Sequence, residues 1–303
     1  MLLPALNDLK HRARVTIVGR QPGLDFIRPY VDRAMDMEGS AWHRLFMEAP
    51  DAGGLPVSDV DRVVAFLSDS DGIIQRNLTS SLPGARVHLF RSLPHEGADI
   101  HVAEYLARCL KLTGLPVDPF RSMEAAGNGI LYRKQLLEKD RSKPQRTIIL
   151  HPGSGSEKKN HPPEFWLEMA RRFRQDTVLK GFERIMLLGP AEAHLHGWFM
   201  ENLATGDAEP LCSFEREHLM EALQRAILCI GHDSGMIHLS ALCCIPTVAL
   251  FKSSNVHQWK PLGPFVHVIE TPRPGPALIG EILGLSRAFI GTPHAKGKAV
   301  GCS

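Results

Sequence analysis

With 303 residues, 44% of them apolar and 22% charged, the chain is long enough for two domains with separate cores and too apolar to be disordered or fibrous. A formal net charge of +2 is too small to argue for a nucleic-acid partner, and no apolar run approaches the ~20 residues of a membrane-spanning helix. The six cysteines, at 109, 212, 229, 243, 244 and 302, show no metal-binding spacing and read as thiols of a reducing compartment. The opening MLLPALNDLK has no basic segment ahead of its apolar residues, so a cytoplasmic protein without a secretory leader is expected.

Leu2, Leu3, Leu6 and Leu9 space a short amphipathic helix that tolerates Pro4 in its first turn. The apolar run at 15–18 predicts a strand, and a Gly/Pro loop follows over 19–23. In a doubly wound domain the first strand usually lies at the centre of the sheet. None precedes the opening helix, so the first domain is expected to lack it. Further strands are predicted at 63–67 and 86–90. A polar loop carrying His95 and Glu96 then leads into a helix over 100–112, with His101, Glu104 and Arg108 on one face and Val102, Tyr105, Leu106, Cys109 and Leu110 on the other. Thr113-Gly114-Leu115-Pro116 stops that helix. The charged, Pro-containing segment 138–146 reads as a linker, dividing the chain into domains at 1–142 and 143–290, with 291–303 expected to be a disordered tail.

Beyond the linker, a strand at 147–150 runs into HPGSGSEKKNHP and a helix over 163–172. A Gly/Ser-rich turn between a strand and a helix offers N–H groups and hydroxyls to phosphate oxygens, and Ser154, Ser156 and Lys159 are its natural ligands. Lys158 is close enough to compete, and an ordinary surface lysine is the plain alternative. The spacing is not that of a P-loop. A strand at 184–188 and a helix running to about 202 put Glu192 in a first helical turn, where a carboxylate gains ~0.3–1 kcal/mol whether or not it meets a ligand. A helix over 216–225 follows.

The most informative stretch is 227–251, ILCIGHDSGMIHLSALCCIPTVALF. Strands at 227–230 and 247–251 enclose a helix that follows Gly231-His232-Asp233-Ser234-Gly235. That arrangement aims the unpaired N–H groups of the helix N-terminus at the carboxyl ends of the strands, where an anion belongs. Asp233 and Ser234 would also serve simply as caps. Gly235 tips the balance, because Gly inside a helix costs roughly 1 kcal/mol relative to Ala and is easier to justify if something packs on the backbone. A loop with Trp259-Lys260-Pro261, a strand at 266–269 and a helix at 277–285 complete the pattern.

Asp233-Ser234-Gly235-x-x-His238-Leu239, followed by Ile245-Pro246-Thr247 and Trp259-x-Pro261, resembles the donor-site signature of bacterial heptosyltransferases, glycosyltransferase family 9. Lys159, three residues before Pro162 and seven before Trp166, fits a second signature of that family, with His161 where the family usually has Trp. The resemblance implies an α/β fold of the GT-B type, two doubly wound Rossmann-like domains facing a cleft. It implies metal-independent, inverting transfer of a heptose or related sugar from ADP-heptose to a lipopolysaccharide core acceptor. Lys159 and Asp233 would then be catalytic, and Ser154, Ser156, Lys159, Ser234 and Gly235 would bind the donor diphosphate. Glu192 and His238 would contact the nucleotide or sugar. His95, Glu96 and His101 would lie on the acceptor side, although solvated surface is the plainer reading of each.

No cofactor is implied, and a monomer working at the inner membrane surface, where the acidic acceptor lies, is expected. The catalytic Asp proposed for the family has no counterpart ahead of Pro4-Ala5-Leu6. The general base is thereby left unidentified. Two other readings stay open: another nucleotide-sugar or acceptor, and an inactive nucleotide-sugar-binding protein.

Overall fold

The computed structural model describes residues 1–39, 41–49, 53–95, 97–129, 146–213, 215–270 and 273–291. The chain divides into two compact units, Met1–Glu124 and Ala125–Ser303, a division ahead of the expected boundary at 142/143. Most of the expected linker, and residues 292–303 of the expected tail, lie outside the described residues.

The first unit runs α1 (Leu3–Leu9), β1 (Thr16–Gly19), α2 (Gly23–Ile27), β2 (Arg33–Asp36), β3 (Arg62–Phe66), α3 (Ile73–Ser81), β4 (Arg86–Phe90) and α4 (Val102–Leu112), and α5 (Pro119–Gly127) crosses the division. β1 pairs in parallel with β2, and β3 with β4, but the two pairs are not hydrogen-bonded to each other. They nevertheless share both faces. Val18, Met35, Val63, Ala65, Val87 and Leu89 pack with Trp42, Leu45, Ile74 and Leu78. Val15, Val64 and Phe66 pack instead with Ala5 and Leu9 of α1 and Ala107 and Leu110 of α4. The first unit thus carries two separate parallel strand pairs, with α1 and α4 on one side and α3 on the other. No residue of β1 to β4 is fully buried.

The second unit continues with β5 (Thr147–His151), α6 (Pro163–Gln175), β6 (Glu183–Leu188), α7 (His196–Asn202), β7 (Glu209–Cys212), α8 (Arg216–Arg225), β8 (Ala226–His232), α9 (Gly235–Leu242), β9 (Thr247–Phe251), α10 (Val256–Trp259), β10 (Val266–Glu270) and α11 (Pro276–Gly291). Its strands form one six-stranded parallel sheet in the order β10-β9-β8-β5-β6-β7. Counted from β5, this is the doubly wound order, with its switch point between β5 and β8. Helices cover both faces, so every residue of β5, β8 and β9 is buried, which explains their uninterrupted apolar runs. Trp166, Phe173 and Phe199 are the largest fully buried side chains of the core, packed with Ile148, Leu150, Ile230 and Leu250.

β7 and α11 differ from expectation for clear reasons. β7 contains Pro210 and was not anticipated; it sits at the sheet edge, where a missing N–H is tolerated. α11 runs beyond the expected 285 because Ser286 and Ile290 continue the buried stripe of Ile279, Ile282 and Leu283.

Candidate functional site

The switch point brings together the turn after β5, residues 152–162, and the turn after β8. β8 ends at His232, and Ser234 adopts an extended backbone (φ −151°, ψ 162°) from which its Oγ accepts a hydrogen bond from the Ile237 N–H at 3.4 Å. This N-cap converts strand to helix within two residues. Gly235 then opens α9. A Cβ there would meet nothing within 4 Å, so no protein contact demands a glycine, and the first-turn backbone stays accessible.

Asp233 is only 4% exposed and holds two partners. The Lys159 Nζ donates to its Oδ2 at 2.7 Å, and the His238 Nε2 lies 3.2 Å from its Oδ1. Burial raises the Asp233 pKa, but hydrogen bonds from His238 and Lys159 outweigh it and hold the carboxyl at about 2. Burial lowers the pKa of His238 against the pull of Asp233, so at neutral pH an uncharged imidazole donates to an ionised carboxylate. Of the two adjacent lysines, Lys159 is the one paired with Asp233, and its Nζ lies 5.9 Å from the ring centroid of Trp259.

The Gly/Ser turn is held largely by itself. Ser154 Oγ stands 2.8 Å from the Ser156 carbonyl and 2.7 Å from Asn160 Oδ1, and accepts the Ser156 N–H at 3.2 Å. Its hydroxyl therefore shapes the turn. The Lys252 Nζ donates to the Asn160 carbonyl at 2.9 Å, tying the turn to the end of β9. Gly155 faces open space.

Beneath the turn lie histidines that sequence reasoning did not assign. His151 hydrogen-bonds the Leu187 carbonyl through Nδ1 at 2.9 Å, and burial lowers its pKa. His232 hydrogen-bonds the Pro152 carbonyl through Nδ1 at 2.9 Å, and its Nε2 accepts the His161 N–H, also at 2.9 Å. Burial depresses the pKa of His232 to about 3 and that of His161 to about 4, with the Lys252 charge adding to the second. Neither ring nitrogen of His161 has a hydrogen-bond partner among the described residues.

Glu192, 4% exposed, sits in the first turn after β6 and accepts the Gly189 N–H at 3.1 Å. Its Cδ lies 1.8 Å from where a Cβ on Gly153 would stand. Only a glycine at 153 lets this carboxylate lie against the Gly/Ser turn. The sequence singled out Glu192 by its place in a first helical turn, but not its contact with Gly153.

The acceptor-side candidates belong to the first unit. α4 begins at Val102 rather than 100, and His101 is its N-cap, with Nδ1 accepting the Ala103 N–H at 3.2 Å. His101 therefore does not share the helical face on which Glu104 and Arg108 pair at 2.5 Å; an imidazole at a helix start is drawn to the unpaired N–H groups there. His95 is an exposed loop residue, and Glu96 lies outside the described residues. Among the described residues, no group of three or more His, Cys, Asp or Glu side chains is arranged to hold a metal.

A family model described as glycosyltransferase family 9 (heptosyltransferase) matches residues 84–277. Among solved structures, the chain is similar to the E. coli heptosyltransferase WaaC with ADP, at 16% identity and a TM-score of 0.64 over 94% of this chain and 95% of that one. It is similar to E. coli ADP-heptose lps heptosyltransferase II, at 15% identity and a TM-score of 0.62 over 95% and 93% of the two chains. A glycosyl transferase family 9 protein from Veillonella parvula DSM 2008 follows, at 18% identity and a TM-score of 0.58 over 94% and 88%. At such identities the likeness shows the fold, the α/β architecture of these heptosyltransferases. No curated protein sequence matches the chain.

Proposed function

Because the chain belongs to glycosyltransferase family 9 and is a glycosyltransferase, we propose that it moves a heptose or a related sugar from an ADP-sugar to a lipopolysaccharide core acceptor, with inversion and without a metal. The observation that carries this reading is the Lys159–Asp233 pair beside the open N-terminus of α9, at the switch point of a doubly wound sheet. Cleavage of the sugar–phosphate bond leaves negative charge on the departing diphosphate. A fixed ammonium and preoriented backbone N–H groups stabilise that charge without reorganising, the largest single contribution in many enzymes.

Asp233 is itself an anion, so its part is to hold Lys159 and His238 in place. With a carboxyl pKa of about 2 and both oxygens engaged, it is too weak a base to deprotonate the acceptor hydroxyl. Asp233 is therefore not that base, and the base is left unassigned. Ser156 and Ser234 join Lys159 and Gly235 around the diphosphate, while Ser154 acts through the shape of the turn. Glu192 accepts hydrogen bonds from the nucleotide ribose, and His238 orients the sugar. ADP as the nucleotide is supported by WaaC, solved with ADP. His95, Glu96 and His101 are assigned to the acceptor side. No described helix is long and apolar enough to cross a membrane, and the acceptor is met from the cytoplasmic face of the inner membrane by a monomer.

A second reading, a nucleotide-sugar-binding protein without transferase activity, is favoured by the unbonded strand pairs of the first unit. One assay separates the two: release of ADP from ADP-heptose with and without a heptose-free lipopolysaccharide core. Acceptor-dependent release is expected. Tight ADP binding without transfer would select the second reading, and transfer from another nucleotide-sugar alone would replace the donor.

A further inference from the structure

We infer that His232 is a positioning residue for the diphosphate site: its imidazole ties the Gly/Ser turn at both ends and so fixes where Lys159 stands. The inference rests on the donor-site reading above. Pro152 opens the turn and His161 closes it, and one buried ring bonds both, donating from Nδ1 to the Pro152 carbonyl and accepting the His161 N–H at Nε2, each at 2.9 Å. Lys159 lies two residues before the second tie. A turn with two glycines and no ladder of its own would lose this geometry readily, because ordering each of its residues costs ~1–2 kcal/mol of backbone entropy.

The ring itself has little freedom. It is 0% exposed and meets Trp166 edge-on at 5.1 Å and the His161 ring at 4.9 Å. Only the neutral tautomer with its proton on Nδ1 serves both bonds; a proton on Nε2 would face the His161 N–H. Burial, which lowers the pKa to about 3, keeps that tautomer uncharged at physiological pH.

His232 also immediately precedes Asp233. The end of one strand thus supplies the carboxylate that pairs with Lys159 and the clamp that holds the loop carrying Lys159. Both partners of the 2.7 Å ion pair are referenced to the same point of the sheet.

The test is a double-mutant cycle on the full chain. His232→Phe keeps a ring against Trp166 and removes both hydrogen bonds, while His232→Gln retains one donor and one acceptor. If His232 acts through Lys159, His232→Phe should weaken ADP binding, by calorimetry, about tenfold with Lys159 present and hardly further in Lys159→Ala. His232→Gln should recover part of the loss. Equal losses in both backgrounds, or a folded Phe variant with unchanged binding, would overturn the inference. If His232→Phe does not fold, the Gln variant carries the same cycle with a smaller effect.

A second readout needs no nucleotide. The Asp233 carboxyl, followed by NMR titration, should rise from its depressed value in His232→Phe when Lys159 is present and stay put in Lys159→Ala. An unmoved Asp233 titration would also sink the inference. Failure of the parent protein to bind ADP would instead count against the donor reading, leaving this titration to decide the role of His232.

Discussion

The strands of the two units are written in similar letters and buried very differently. Val63, Val64, Ala65 and Phe66 of β3 are as apolar as Ile148, Ile149 and Leu150 of β5, yet every residue of β3 is half-buried and every residue of β5 is buried. The difference lies in the neighbours. β5 is hydrogen-bonded to β6 on one edge and β8 on the other, whereas β3 has only β4. Buried polar atoms without partners among the described residues do not make the difference: Arg62 Nε in β3 and His88 Nε2 in β4 are such atoms, but so are both ring nitrogens of His161 and Trp166 Nε1 in the second unit. Each such group costs about 1–3 kcal/mol. Apolar sequence makes a strand eligible for the core, but a pair of flanking strands is what puts it there.

The largest effect expected from this contrast is in hydrogen exchange. Amides at 16–19 and 62–66 should exchange at least about a hundredfold faster than those at 147–151 and 226–232, since sub-global opening follows local pairing and burial. Equal protection in both sets would break the comparison.

Acid should narrow the gap, because strongly depressed groups cluster in the second unit. His161 and His232 have folded pKa values of about 4 and about 3, below their ordinary 6.5, so between these limits the unfolded chain binds more protons and stability falls as pH falls. Asp233, depressed to about 2 from 3.8, contributes stability above about pH 4 that is lost as pH drops through 2. The second unit should therefore lose several kcal/mol between about pH 6.5 and pH 3. Chemical denaturation across that range, read by Trp166 fluorescence, checks this; a flat profile would mean that the histidines are hydrated.

Lys159→Ala should reduce turnover with an ADP-sugar about a hundredfold, and should also lower the melting temperature somewhat, because the buried Asp233 carboxylate loses its ion-pair partner and keeps the His238 hydrogen bond. Unchanged turnover would move the role to Lys158 or remove it. Smaller still is the pair at α9. Gly235→Val, whose Cβ would have no protein atom within 4 Å, should fold and weaken ADP binding about tenfold or more, whereas Ser234→Ala should cost roughly 0.5–1.5 kcal/mol, about one hydrogen bond. Tight ADP binding by the Val variant would reduce that turn to a cap.

The sequence made the second unit legible where its strands are continuous apolar runs: β9 and α8 fall at their expected bounds, and β5, β6, β8 and β10 within two residues. β2 escaped because Arg33-Ala34-Met35-Asp36 has no apolar run; it is a strand because β1 pairs with it and because the Asp32 carboxylate takes the Val15 N–H at 2.7 Å. α3 was hidden by the polar side chains that follow Ile73-Ile74, although Ile74 and Leu78 anchor it. In the site, Lys159 and Asp233 were legible as spacing within motifs, and their ion pair joins residues 74 positions apart. The clamp of His232 on Pro152 spans 80 positions and belongs to no motif, so only the folded chain displays it.

The close approach of Glu192 to Gly153 constrains how this site can change over generations. The three atoms nearest to a methyl group at 153 all belong to the Glu192 side chain, so the substitution is accommodated by swinging that side chain away, and the carboxylate is displaced. Selection for stability alone would not see the substitution; selection for nucleotide recognition would. The two positions are therefore not free to vary independently, and their order matters: 153 can acquire a side chain without disturbing the site only in a lineage where 192 has already shortened.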